Sequence, residues 1–357
     1  MKRMISLIIS SLFLLSVLLF TCEGTAEGNS KILSEGAFDY CVLEDETVMI
    51  VHYNGLETGA QCKIPEKING RTVTAVDRLA FKNAEEISSI FIPETITSLP
   101  DNFLQDCHQL QSITVDKNNL HYASIDGVLF NKDHTELLTF PISKTKESYS
   151  APAGVKIIGT CAFRFSKAKV IKLPNSVEVI GQHAFDFTNA KRIVLGNGVK
   201  KIGIGAFYQN WQQNNGGNLR KILVPKSVTK IGRSAFVMSP QMPTIYGFKG
   251  SYIEKYCKKA EINFCSVDLP APNKTTVKAG EGAITVSYEN VKKAQGIQIK
   301  IMNEEKSIVK TIHTTESMVK TINNLDASVY KVKVRVFRNV LGTRVYSPWS
   351  VQSVRVK

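Results

Sequence analysis

Cysteine and histidine are scarce in these 357 residues, seven and six respectively, and neither Cys-x-x-Cys nor His-x-x-x-His occurs. That spacing is what a zinc site would need, so no metal site is expected. No glycine-rich loop of the phosphate-cradling kind precedes a helix, which removes the usual nucleotide-binding motifs. No cofactor is expected either. Arg-Gly-Asp is missing, and so is any second long hydrophobic run. Catalysis needs a nucleophile, a base and an orienting group in one cleft. Cys107 and His108 come nearest, but they are adjacent in sequence, so in a regular segment their side chains diverge. Asp101 and Asp106 read as caps of a repeat helix. The chain is expected not to be an enzyme.

What is present begins with a targeting segment. Lys2 and Arg3 precede an apolar run from Ile5 to Phe20, and Gly24 and Ala26 occupy the −3 and −1 positions of a cleavage site after Ala26. Residues 1–26 therefore read as a signal peptide. Two other readings stay open: an uncleaved anchor, and lipidation at Cys22. Leu19-Phe20-Thr21 suits lipidation poorly because Phe20 is bulky. Cys41, Cys62, Cys107, Cys161, Cys257 and Cys265 would remain after cleavage. An oxidising location permits disulfides, with Cys257 and Cys265 the first pair to consider. Small buried hydrophobes are the other reading.

Repetition dominates residues 27–268. One series is Val73-Val76-Phe81, Ile96-Leu99-Phe103, Val155-Ile158-Phe163, Val177-Ile180-Phe185, Val199-Ile202-Phe207 and Val228-Ile231-Phe236. The phenylalanines step by 22 residues from 81 to 103, 163 to 185 and 185 to 207, and by 29 from 207 to 236. A second series interleaves: Ile87/Ile90/Ile92, Leu110/Ile113/Val115, Ala168/Ile171/Leu173, Ala190/Ile193/Leu195 and Leu219/Ile222/Val224. Its last two members alternate as a short strand requires, and Pro93, Pro174 and Pro225 end the strand. A rung of this size cannot bury its own apolar side, so rungs stack and share a core. Ser124 to Asp133 breaks the rhythm and reads as a hairpin turning at Asp126-Gly127. Tyr208 to Asn218 reads as a polar surface loop carrying Trp211, one of two tryptophans.

Leu173-Pro174-Asn175-Ser176-Val177-Glu178-Val179-Ile180-Gly181-Gln182-His183-Ala184-Phe185 resembles the BspA-type leucine-rich repeats of bacterial surface proteins. Ser124 to Asp133, Ile245-Tyr246-Gly247 and Gly250 to Tyr256 are similar to that family too, over roughly residues 40 to 265. Asn102 and Gly196 depart from its pattern. Residues 269–273, with Pro270-Ala271-Pro272, read as a linker. Residues 274–357 carry short alternating strands at sandwich spacing. Leu325 to Val336, with Tyr330 at the position of a corner tyrosine, and Ser347-Pro348-Trp349-Ser350 are similar to the fibronectin type III pattern. The expected fold is a mainly β repeat solenoid followed by a fibronectin type III-like β-sandwich, elongated and separable by proteolysis near residues 266–274.

Charge is uneven. Residues 27–150 hold 10 basic and 19 acidic side chains, a net of −9. Residues 151–269 hold 18 and 5, a net of +13, and residues 270–357 hold 15 and 6, a net of +9. A field of this kind steers polyanions. Lys169, Lys172, Lys191, Arg192, Arg220 and Lys221 flank the strand series and are expected to line up across rungs about 4.8 Å apart as one basic ladder. Lys156, Lys200, Lys201 and Lys230 form a looser second set. A solvated lysine face that keeps the solenoid soluble is the bland alternative. Trp211 is either a packed loop residue or a flat contact surface. The expected role is that of an exported, secreted or cell-surface binding protein of adhesin type. Its partner would be an extracellular protein or a polyanionic glycan or cell-wall polymer, with no nucleic acid. The alternative is a structural or inhibitory component that binds another bacterial protein.

Overall fold

The computed structural model describes residues 31–55, 61–82, 84–209, 219–236, 243–315 and 318–357. Residues 1–26, Cys22 and Trp211 lie outside them. The chain divides into two compact units, one ending at Lys144 and the other running from Thr145 to Lys357.

In the first unit, Leu33–Glu35, Phe38–Val42 and Val48–Tyr53 pair as an antiparallel meander, and Arg71–Val76 joins it in parallel. Gln61–Lys63, Ser89–Ile92 and Ser112–Val115 form a parallel ladder. Both sequence series point inward here: Phe81, Phe103, Ile87, Ile90, Leu110 and Ile113 share one core. Tyr122–Ile125 and Val128–Asn131 form the hairpin, turning at Asp126 and Gly127, both with positive φ. Asn119 is buried beneath it. Its amide donates to the carbonyls of Pro93 and Ile96, and its Oδ1 accepts from the backbone of His121 and Tyr122. One side chain thus satisfies four backbone groups that the irregular rung would otherwise bury unpaired.

The second unit opens with the solenoid proper. Ser148–Ser150, Val170–Lys172, Arg192–Val194, Lys221–Leu223, Thr244–Gly247 and Phe264–Ser266 form one parallel sheet, in that order. A second parallel ladder runs through Ile157–Ile158, Val179–Ile180, Lys201–Ile202 and Lys230–Ile231. Between the two, Phe163, Phe185, Phe207 and Phe236 stack face to face, each centroid 5.1 Å from the next. An exact repeat places the same ring at strand spacing, which is also the stacking distance of aromatic faces. The glycines that recur with the repeat serve close approach more than turning. A Cβ at Gly203 would lie 2.6 Å from the backbone carbon of Gly181, so only glycine lets adjacent rungs come this near. Helix Tyr252–Lys259 follows the last of these rungs, with Ile253 and Cys257 buried and the Tyr256 ring edge-on to Phe236 at 5.9 Å.

Cys257 and Cys265, the pair first considered from sequence, are both free thiols. Cys257 faces the core from the helix, while Cys265 is on the exposed side of its strand. Burial pushes the Cys62 and Cys107 thiols up to about 12, far from a reactive thiolate.

Two further sheets follow. One holds Thr276–Gly280, Ala283–Ser287 and Val319–Asn323. The other holds Ile308–Thr314, Gly296–Met302, Val329–Val340 and Thr343–Tyr346, with Ser350–Arg355 pairing the start of the long strand. Ile284, Val286 and Ile322 of the first pack against Ile297, Ile299, Ile301, Val332 and Val334 of the second. The Tyr330 hydroxyl donates to the Asp326 carbonyl at 3.2 Å.

The junction is packed. Val267 and Leu269 are buried. The hairpin turning at Leu341 and Gly342 places Val340 and Val345 against Leu223 and Val267, with Tyr246, Phe248 and Leu341 at the margin. Arg338 Nη2 donates to the Ser266 carbonyl at 3.2 Å. Proline-rich sequence limits backbone conformation, but the apolar residues on either side decide whether the segment is covered.

Candidate functional site

On the strand side, the register separates the six basic residues. Val170, Arg192, Lys221 and Thr244 occupy one column, while Lys172, Val194, Leu223 and Tyr246 occupy another. Lys169, Lys191 and Arg220 stand one residue earlier in their rungs. The single ladder expected from sequence therefore resolves into short columns, and the column of Lys172 is otherwise apolar. The reason is the pleat: residues two apart share a face but belong to different columns. Arg192 is half-buried, and a Cβ on Gly342 would come within 3.5 Å of its Nη1, so the sandwich hairpin lies over its guanidinium. Lys169 pairs with Glu147 at 2.5 Å. Lys172, Lys191, Arg220 and Lys221 are exposed. In the second set, Lys201 aligns with Lys230, and Lys200 pairs with Glu178 at 2.8 Å.

The turn side carries a site that the sequence reading missed. Each rung turns through a left-handed residue followed by Ala-Phe: Cys161, His183, Gly205 and Ser234 have φ of 56°, 52°, 59° and 55°. The residues after the core phenylalanine then form columns of their own. Arg164, Asp186 and Tyr208 make one, and Phe165 and Phe187 another. The Phe165 and Phe187 rings stack at 5.2 Å, with Tyr208 edge-on to Phe187 at 5.9 Å. The Arg164 guanidinium lies 5.0 Å from the Phe165 centroid.

Beside these rings is a cavity of about 510 Å³, lined by Arg164, His183, Asp186, Phe187, Tyr208 and Arg233, among others. Gly205 lies in its wall, where the His183 ring occupies the space a side chain would take. A Cβ there would stand 2.5 Å from the His183 ring. Asp186 is 3% exposed. Its Oδ2 lies 3.4 Å from both Arg164 Nε and His183 Nδ1, while its buried Oδ1 has no hydrogen-bond partner among the described residues. Burial raises the Asp186 carboxyl to about 6, against the opposing pull of Arg164 and His183.

A folded-state value above the unfolded one means that the fold favours the protonated acid. This contribution to stability is present below about pH 4 and is lost as pH rises through about 6. The stability of the native chain, measured relative to Asp186→Asn by urea unfolding, is therefore expected to decline over that window. A difference that stays flat or grows with pH would mean that the Arg164 and His183 partners outweigh burial.

Among the described residues no helix is long and apolar enough to cross a membrane, and no group of three or more His, Cys, Asp or Glu is placed to hold a metal ion.

The BspA type leucine-rich repeat region model matches residues 31–151 and 139–263, with six copies. No curated protein matches the chain. A leucine-rich repeat protein from Eubacterium ventriosum is 22% identical, with 48% of each chain covered and a TM-score of 0.38. The chain thus spans about half the length of that protein. The pneumococcal vaccine antigen PcpA is 16% identical, covering 66% of this chain and 97% of that one, with a TM-score of 0.36. The leucine-rich repeat protein of T. pallidum is 18% identical, covering 66% and 98%, with a TM-score of 0.29.

Proposed function

Because this chain belongs to the BspA type leucine-rich repeat family, we propose that it is an exported, non-catalytic protein that binds an extracellular polyanionic glycan or an acidic protein surface through its solenoid. Residues 1–26 direct export, and residues 274–357 form a fibronectin type III-like module joined through residues 269–273. The observation that carries this reading is the exposed cationic strand side, Lys172, Lys191, Arg220 and Lys221, within a segment of net charge +13. Each exposed contact contributes under about 1 kcal/mol. Several acting on one extended polymer would retain the protein at an anionic wall or matrix.

Retention on heparin and on purified anionic cell wall tests it. Charge reversal at Lys172, Lys191 and Lys221 is expected to lower the eluting salt concentration clearly more than reversal at Lys278, Lys292 and Lys320. That second set is also exposed but stands on the sandwich. Retention should fade with salt, since the screening length falls from about 10 Å at 0.1 M to about 3 Å at 1 M. Equal elution of the two variants would reduce the strand side to a solvated face.

A further inference from the structure

We propose that the turn side of the solenoid holds a second, independent site that binds a carboxylated glycan, an oligosaccharide bearing uronic or sialic acid, across two adjoining cavities that meet at Arg233. The proposal rests on reading the chain as an extracellular binding protein, but it places the ligand away from the strand side.

The first cavity is the one built around Asp186. A second, also about 510 Å³, shares Arg233 and Ser234 with it and is lined further by Tyr252, Tyr256, Lys255 and Lys259. Together they offer flat aromatic surface at Phe187, Tyr208 and Tyr252, and four cations against the single carboxylate of Asp186. Tyr252 is 42% exposed, high for an aromatic residue beside a helix start. A pyranose presents an apolar C–H face to such rings and hydroxyls at its rim. A carboxylate on the same ring matches a guanidinium bidentately.

Asp186 supplies the most specific element. Its Oδ1 is buried beside the cavity and needs a donor, because an unsatisfied buried acceptor costs free energy. A sugar hydroxyl is such a donor, and the same carboxylate would select a hydroxylated ligand over a bare anion such as phosphate. An extended acidic peptide fits less well. It would seek main-chain hydrogen bonds, yet the local amides are already committed: Gly205 N donates to the Arg233 carbonyl, Phe207 N to Ala235 and Phe187 N to Tyr208.

The sequence prepares this arrangement through small departures from its own repeat. Gly205 stands where Cys161, His183 and Ser234 carry a side chain at the equivalent turn position, and so lets the His183 ring lie against it in the wall of the first cavity. The charged residue after the core phenylalanine changes from Arg164 to Asp186, so the two neutralise each other across rungs and leave Arg233 to meet the ligand.

Titration calorimetry on the full chain tests the proposal, with a glucuronate-containing tetrasaccharide, a sialylated trisaccharide, neutral cellotetraose and hexaglutamate as probes. At least one carboxylated sugar should bind at least tenfold more tightly than cellotetraose and hexaglutamate, and which one binds identifies the source of the carboxylate. Arg233→Gln and Tyr252→Ala should each weaken that binding about tenfold. Both side chains are exposed, so the unfolding midpoint should not move. Reversing Lys172, Lys191 and Lys221 should leave this binding unchanged. Equal binding of cellotetraose, no binding of either acidic sugar, or an indifferent Arg233→Gln overturns the proposal. Tighter binding of hexaglutamate overturns it in favour of a peptide ligand. Loss of heparin retention by the strand-side variant, with sugar binding intact, separates this site from that reading.

Discussion

Replacing Phe185 with alanine is expected to cost about 3–5 kcal/mol, the range for deleting a buried phenylalanine. The ring is inaccessible to solvent and stacks on both faces, against Phe163 and Phe207, at 5.1 Å each. Alanine removes both stacking contacts and leaves a void between rungs whose backbones already touch at Gly181 and Gly203. With so little room to close, the surrounding rungs cannot collapse into the gap. The control is Phe165→Ala, which deletes a half-buried ring stacked on Phe187 outside the core column. Urea unfolding of both variants measures the difference. Similar losses at the two positions would show that the inner stack contributes no more than surface packing does.

The second large effect is expected at the junction. Val345 is 4% exposed and packs with Val340, Leu223 and Val267. Aspartate there would place an unpaired charge in an apolar contact, a penalty of about 3–5 kcal/mol by comparison with broken buried ion pairs. The sandwich has a separate core around Ile299, Val332 and Val334, so it should remain folded while the contact opens. The native chain should then resist limited proteolysis between residues 266 and 274. Val345→Asp should be cut there and yield two protected fragments. Rapid cleavage of the native chain at that segment would mean that the packed hairpin is not what protects it.

The rungs were legible because their signal is repeated. A 22-residue step places each phenylalanine above the last whatever the surface residues are, and Asp126-Gly127 announces its turn through the backbone conformations those residues tolerate. The strand-side columns were only half legible. The apolar triplets predict which residues face out, but assigning Lys172 and Arg192 to one ladder required a register, which rests on backbone pairing between rungs. The packed junction was hidden because Val267 and Leu269 lie far from Val340 and Val345 in the chain and the four follow no period. The turn-side cavity did leave a trace. Arg164-Phe165 and Asp186-Phe187 follow the core phenylalanine at the same offset in adjacent rungs, a second aromatic period within the first. It passes unnoticed when each Ala-Phe pair is read only as a core plug. Nothing in the sequence, however, marks Gly205 as the place where the His183 ring lies, since glycine recurs through the repeat for other reasons.

Arg338, whose guanidinium takes the carbonyl of Ser266, stands where the parallel sheet stops. A bare terminal strand offers unpaired amides and carbonyls to any other strand of suitable length, and that is how soluble β proteins come to form fibres. Here the last strand, Phe264–Ser266, is only three residues long and has the sandwich hairpin against its end. The sandwich therefore acts as a terminator for the ladder. A chain cut away before residue 270 would retain every rung yet lose that terminator, and self-association should be the first property to change.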